Sequence, residues 1–163
     1  RVQNSALSVA MVEALGANAT PMGFGQVYES LLLGTIDGSE NNWPSYESTG
    51  HYEAAAHYTL TRHTMMPEVL VMSKHRWQKL SLQQKNLIRR AAKASVPYMR
   101  KEWDKRVALS KEKVLSAGVK VIENPDLSLF TDAMAPVYKK FVTTEKMHGL
   151  LKRIQATQDA SVL

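Results

Sequence analysis

The sequence of 163 residues contains no cysteine, which excludes disulfide bonds, thiolate metal sites and cysteine nucleophiles together. It also has no apolar run near the ~18 residues that a membrane-spanning helix requires, because its hydrophobic segments are short and interrupted by charges. Hydrophobic residues make up 44% of the chain and charged residues 22%. The sequence therefore predicts one globular chain with enough apolar side chains to form a core.

Catalytic and cofactor-binding motifs are lacking as well. No H-E-x-x-H pattern, nucleophile elbow or P-loop occurs, and Gly23-Phe24-Gly25 is only a fragment of a glycine-rich loop. The spacing of six between His51, His57 and His63 does not place neighbours on one helix face, and the other two histidines are His75 and His148. We therefore predict no cofactor, no metal site and no enzymatic activity.

Basic residues are concentrated in one segment. Residues 74–113 contain thirteen Lys and Arg against three acidic residues, whereas the rest of the chain is mildly acidic. Trp77, Tyr98 and Trp103 lie among these charges, so binding to nucleic acid is the alternative function that the sequence leaves open. The aromatic residues have a helical spacing that also suits burial, and a solvated helix face is the interpretation we favour.

Helical periodicity alternates with short apolar segments, which predicts an α/β architecture. Ser81 and Gln84 form the pattern of a capping box and begin a long helix, which Pro97 is expected to kink. The predicted strands are a brief one at Thr35–Gly38 that closes in an Asp-Gly turn, His57–Thr61, Val69–Met72 and Val119–Ile122. The polar and aromatic stretch 39–46 lacks periodicity and is predicted to be a loop of functional importance.

Several motifs in a fixed order resemble the receptors of tripartite ATP-independent periplasmic (TRAP) transporters. The motifs are Arg1-Val2, Glu13-Ala14-Leu15-Gly16-Ala17, Thr20-Pro21-Met22-Gly23-Phe24, Val27-Tyr28-Glu29-Ser30-Leu31, Gly34-Thr35-Ile36-Asp37-Gly38 with Glu40-Asn41, and Pro136-Val137-Tyr138-Lys139-Lys140-Phe141. The long basic helix after Leu80-Ser81 is also similar to the helix that spans both lobes in that family. The resemblance covers nearly all of the chain.

This resemblance implies a periplasmic-binding-protein-like fold of two α/β lobes, with the chain as its C-terminal half. Such receptors are about twice as long, and the first residues lack the pattern of a signal peptide. Residues 1–66 are expected to form mostly the ligand-binding second lobe. Residues 67–96 are expected to return into the first lobe as a strand and the start of the long helix. Residues 97–163 would complete that helix and add the last strand and helices.

The same resemblance implies which residues bind a ligand. Arg1 corresponds to the family's arginine that clamps the ligand carboxylate, and a guanidinium matches a carboxylate with two parallel donors. Asn41 corresponds to an asparagine whose amide donates to the same carboxylate, and Phe24 to an apolar wall of the site. A solvated chain end is the alternative for Arg1, and simple core packing is the alternative for Phe24.

The sequence departs from the commonest family pattern after Asn41. Many relatives have proline immediately, whereas here Asn42, Trp43 and Tyr46 are spaced around Pro44 in a variant similar to that of hexuronate receptors. An indole face can stack on the C–H side of a pyranose, while amides and a phenol can bind hydroxyl groups. Packing within a lobe is the alternative for Trp43 and Tyr46.

The function implied is capture of a small carboxylate-bearing molecule, such as a uronate or another sugar acid, or a dicarboxylate. The implied location is the periplasm, and the implied partner is the membrane permease of a TRAP transporter. We also expect the chain to expose apolar surface along the long helix and Val69–Met72, and for this reason to self-associate.

Overall fold

The computed structural model describes residues 1–160 of the chain, which form mostly helices with one small parallel sheet. The elements are α1 (Ala6–Ala14), a 3-10 turn (Phe24–Gln26), α2 (Val27–Leu32), α3 (Trp43–Ser48), α4 (His51–Ala54), β1 (His57–Thr59), α5 (Lys74–Gln78), α6 (Leu82–Ser116), β2 (Lys120–Ile122), α7 (Ser128–Ala133), α8 (Ala135–Phe141) and α9 (Glu145–Ala160). They group into two compact units, one formed by residues 1–40 and 124–160, the other by residues 41–123.

The first unit contains α1, α2, α7, α8 and α9, and α1 packs against α8. The Ser5 side chain caps α1, and Gly16 ends it in the left-handed conformation (φ 81°) that glycine adopts without strain. Val2, Val27 and Val137 are buried in this unit. These contacts hold the first residues of the chain against a folded framework.

The second unit contains α3 to α6 and both strands. β1 and β2 pair in parallel, with Tyr58 opposite Val121. The core beside this sheet consists of Tyr46, Val114 and Val119, and α3 packs against α6. The position of α3 is therefore fixed by its packing on α6 and on the core beside the sheet.

The long helix α6 has 35 residues and begins as predicted. Ser81 Oγ accepts from the backbone N–H of Gln84, and Gln84 Oε1 accepts from the backbone N–H of Ser81, a complete capping box. The helix continues through Pro97 without a break, and the kink expected there stays a prediction. No helix among the described residues is both long enough and apolar enough to cross a membrane.

Three local predictions are wrong. Thr35–Gly38 is not a strand, because the chain only bends there after α2 and pairs with no strand among the described residues. Val69–Met72 is not a strand: residues 60–73 have no regular secondary structure, and Val69, Leu70 and Val71 are 73–80% exposed. A strand is stable only within a ladder, and this segment pairs with no other strand in the described part of the chain. The stretch 39–46 is also not entirely a loop, because α3 begins at Trp43.

The predicted strands at His57–Thr61 and Val119–Ile122 are confirmed in shortened form. Near the two ends of the described chain lie the helices α1 and α9. The assignment of residues 1–66, 67–96 and 97–163 to two lobes stays a prediction.

Candidate functional site

A short backbone pairing holds Arg1 in place. Val2 donates to the carbonyl of Thr20 (3.1 Å) and accepts from the N–H of Met22 (3.2 Å), forming a parallel bridge with Pro21. Pro21 lacks an N–H, but in this register only its two neighbours exchange hydrogen bonds with Val2. Val2 is 1% exposed, so the residue next to Arg1 is anchored in the core of the first unit.

The Arg1 side chain is oriented by two contacts. Its Nε donates to the carbonyl of Met22 (3.1 Å), and its guanidinium carbon lies 5.9 Å from the centre of the Phe24 ring. These contacts engage Nε and one face of the side chain, while the terminal Nη nitrogens make no hydrogen bond to another described residue. A guanidinium held in this way can still present two parallel donors to a carboxylate.

Asn41 and Asn42 form a hydrogen-bonded turn into α3. The N–H of Asn42 donates to Asn41 Oδ1 (2.9 Å), and Asn42 Oδ1 accepts from the N–H of Ser45 (2.9 Å) as the N-cap of the helix. Pro44 lies in the first turn, where a missing N–H costs nothing. The two side-chain oxygens therefore accept hydrogen bonds within this turn, and the NH₂ group of each amide is the side-chain donor that a ligand could use.

Asn42→Ala is expected to lower the free energy of unfolding by about 1 kcal/mol, because the first turn of α3 loses its cap. Chemical denaturation of the chain measures this change. Asn42→Asp should retain most of the stability, since aspartate is an equally good cap. Asn18→Ala, at an exposed position outside any helix, is the control. Equal stability of Asn42→Ala and the unmodified chain would contradict the prediction.

An aromatic cluster surrounds the start of α3. The rings of Trp43 and Tyr58 stack with centres 4.2 Å apart, and Tyr46 lies against Tyr58 at 4.8 Å. The Tyr46 ring is in the core, its hydroxyl donates to the carbonyl of Ala55, and burial raises its pKa. Lys111 Nζ lies 5.9 Å from the centre of the Trp43 ring. One face of the indole is thus covered by Tyr58, and a cation lies near the same ring system.

A buried carboxylate anchors α3 to α6. The Glu47 side chain is only 6% exposed and forms ion pairs with Arg106 and Lys113, which are 44% and 61% exposed. The hydrogen bond from Lys113 is the main cause that lowers the pKa of Glu47, with Arg106 adding to it against the opposing effect of burial. The same contact with Glu47 raises the pKa of Lys113. This ion triad fixes the helix that carries Trp43.

The structure brings the predicted residues together within each unit. Arg1 and Phe24 are in contact in the first unit, and Asn41, Asn42 and Trp43 form one turn in the second. Sequence reasoning missed Tyr58 and the Glu47 triad. The predicted strand His57–Thr61 includes Tyr58, but no local signal in the sequence indicates which residues Tyr58 contacts.

No group of three His, Asp or Glu suited to a metal ion occurs in the described part of the chain.

Comparison with known proteins gives consistent matches. The family model described as bacterial extracellular solute-binding protein, family 7, matches residues 1–145. A solute-binding protein of Chromohalobacter salexigens is 46% identical over 159 residues, covering 97% of this chain and 47% of the relative.

Solved structures of TRAP periplasmic solute-binding proteins are similar to the chain as well. A Bradyrhizobium protein in complex with α/β-D-galacturonate is 53% identical, with a TM-score of 0.88 over 96% of this chain and 52% of the other. A Chromohalobacter salexigens protein with bound D-glucuronate is 46% identical, with a TM-score of 0.90 and the same two coverages. The chain spans about half the length of the relatives it matches. The predicted fold class, that of the two-lobed periplasmic binding proteins, is confirmed by these matches.

Proposed function

The chain belongs to family 7 of the bacterial extracellular solute-binding proteins, and from this premise we propose that it is part of a periplasmic receptor for a sugar acid. The observation that carries the proposal is its identity of 53% and 46% to proteins solved with D-galacturonate and D-glucuronate bound. The family consists of solute-binding proteins and is not a class of enzymes. A hexuronate is therefore the ligand we propose, and a TRAP membrane permease is the partner to which it would be delivered.

Arg1 is the residue that we propose binds the ligand carboxylate. Support comes from its orientation by Met22 and from the terminal nitrogens that this orientation leaves as donors. Phe24 packs beside the guanidinium and would exclude water from one side of the ion pair. A bidentate pair of charge-assisted hydrogen bonds is strong and directional, so it suits recognition of a planar carboxylate.

Asn41, Asn42, Trp43 and Tyr46 remain proposed ligand residues from the sequence pattern. The donor end of the Asn41 amide is the group best prepared for this role, because its oxygen is already bonded to the N–H of Asn42. Trp43 would offer the part of its ring that Tyr58 does not cover, with Lys111 Nζ 5.9 Å from the ring centre. Tyr46 is less suited to bind a hydroxyl group, since its own hydroxyl donates to Ala55. Binding of nucleic acid by the basic segment has no support from the family or the relatives described above.

The test is a thermal-shift and calorimetric titration with D-glucuronate, D-galacturonate and succinate. It is made on the chain and on a chimera in which the chain replaces the matching part of the Chromohalobacter relative. D-glucose and D-galactose, which lack the carboxylate, are the matched controls. Stabilisation by a uronate but not by its neutral sugar is expected, reaching about 2.7 kcal/mol at a concentration 100 times Kd. No response of the chimera to either uronate, with the relative itself responding, would refute the proposal.

We further predict that the chain by itself self-associates through residues 69–72. Leu70 and Val71 are 80% and 79% exposed, and an apolar segment that pairs with no strand among the described residues can pair with a second copy. Light scattering after gel filtration should show a mass above 18.3 kDa that rises with concentration. Leu70→Lys should lower this mass, while the control Leu33→Lys, at an exposed site in the first unit, should not. A monomer at every concentration would contradict the prediction.

A further inference from the structure

Tyr58 contacts both ends of the turn that carries Asn41 and Trp43. Its hydroxyl donates to the main-chain carbonyl of Asn41 (2.9 Å), and its ring stacks on Trp43 with an angle of 28° between the planes. The hydroxyl and the ring therefore fix the same short segment, from residue 41 to residue 43, at two points.

Tyr58 is itself held on a rigid support. It is the central residue of β1, opposite Val121 of β2, and hydrogen bonds from Lys120 to the carbonyl of Ala56 and from Leu60 to that of Ile122 close the parallel pair around it. Its ring packs against the core cluster of Tyr46, Val114 and Val119. A side chain that is held by a strand and a core in this way can keep the turn that it contacts in one conformation.

Asn41 is consequently fixed on both its main chain and its side chain. Tyr58 binds the main-chain carbonyl, and the N–H of Asn42 binds the side-chain oxygen. The amide NH₂ is then the side-chain group left to act as a donor, pointing in a direction that these two hydrogen bonds define. Without the hydrogen bond from Tyr58, the main chain of residue 41 could rotate, and the NH₂ group of Asn41 would adopt several orientations.

We propose that Tyr58 is a positioning residue for ligand binding, which acts by fixing the donor direction of Asn41. This inference rests on the proposed function, in which Asn41 contacts the sugar acid. It predicts that Tyr58 influences affinity without touching the ligand. Preorganisation of this kind raises affinity because the ordering cost is met before the ligand arrives.

Tyr58→Phe tests the inference because it removes only the hydroxyl and keeps the stacked ring. Uronate affinity of the chimera should fall about fivefold, in line with the loss of one neutral hydrogen bond. Tyr52→Phe is the matched control, since Tyr52 packs against the same core, edge-on to Tyr46, and makes no hydrogen bond to residue 41. A similar loss in Tyr52→Phe would overturn the inference by attributing the effect to general softening of the cluster.

A double-mutant cycle separates positioning from a structural role. In an Asn41→Ala background, Tyr58→Phe should no longer change affinity, because no amide remains to be positioned. Titrations extend to high millimolar uronate, so that weak binding by the Asn41→Ala variants is still measured. An undiminished fivefold effect in that background would overturn the inference, as would an Asn41→Ala variant that binds normally.

Failure of the inference can be told apart from failure of the proposed function. If the unmodified chimera binds uronate and Tyr58→Phe binds equally well, only the role of Tyr58 is refuted. If the unmodified chimera binds no uronate while the Chromohalobacter relative does, the proposed function is refuted and the inference with it.

Discussion

Arg1→Ala is expected to weaken uronate binding by the chimera about a hundredfold, measured by titration calorimetry. The Arg1 side chain is already oriented by Met22 and by contact with Phe24, so little ordering is needed when a carboxylate arrives. Its removal leaves the carboxylate desolvated without its charge-assisted partner, and that cost appears mainly as faster dissociation. The effect should be far larger than the fivefold change expected for Tyr58→Phe.

Arg1→Lys should fall between the unmodified protein and Arg1→Ala. Lysine keeps the positive charge but offers a point donor in place of a planar fork, and it cannot reproduce the Nε hydrogen bond to Met22 at the same time. Arg153→Ala is the control, because Arg153 is exposed on α9. A loss smaller than threefold for Arg1→Ala, or an equal loss for Arg153→Ala, would mean that another residue binds the carboxylate.

Arg1 shows how far the sequence alone leads towards the site. Nothing in its spacing or surroundings distinguishes it from other arginines, and only the resemblance of Arg1-Val2 to a family motif singled it out. The structure adds the physical content, which is the bridge of Val2 with Pro21 and the hydrogen bond to Met22. Elements with strong local signals, such as the capping box that begins α6, were in contrast predictable from the residues themselves.

The start of α3 was misjudged although local signals were present. Asn42 is a good N-cap and Pro44 is favoured in a first helical turn, yet the polar composition around them was interpreted as a loop. The error at Val69–Met72 has a different cause. An apolar run is buried only where other parts of the chain cover it. The run itself does not show whether such covering elements exist, and Val69, Leu70 and Val71 are exposed.

The Glu47 triad lay beyond sequence reasoning because its members are distant in the chain. Glu47 is 59 residues from Arg106 and 66 residues from Lys113, and both cations belong to a segment whose charges were interpreted as a solvated helix face. Part of that excess positive charge is instead used to neutralise one buried carboxylate. Pairs of this kind become visible only when the packing of α3 on α6 is known.

Glu47→Gln is expected to lower the free energy of unfolding by about 2 kcal/mol, less than the 3–5 kcal/mol typical of a fully buried pair. The discount is needed because Arg106 and Lys113 are 44% and 61% exposed and can be hydrated when the carboxylate is removed. Glutamine keeps the shape of the side chain, so the change isolates the charge. The melting temperature of the chain should fall by roughly 4–8 °C, measured by circular dichroism.

Acidification should remove this difference. Lys113 and Arg106 lower the pKa of Glu47 in the folded chain, whereas in the unfolded chain it is about 4.3. The stabilisation is therefore complete above about pH 4.3 and is lost as the pH falls through the lower, folded pKa. The difference in unfolding free energy between the unmodified chain and Glu47→Gln should stay constant from about pH 6 to 8. It should shrink below about pH 4.3 and disappear once the pH has fallen through the lower, folded pKa of Glu47. Glu112 is an exposed neighbour of Lys113 on α6, and Glu112→Gln should leave the free energy of unfolding unchanged at every pH. If Glu47→Gln remained less stable than the unmodified chain in acid, packing and not charge would explain its lower stability.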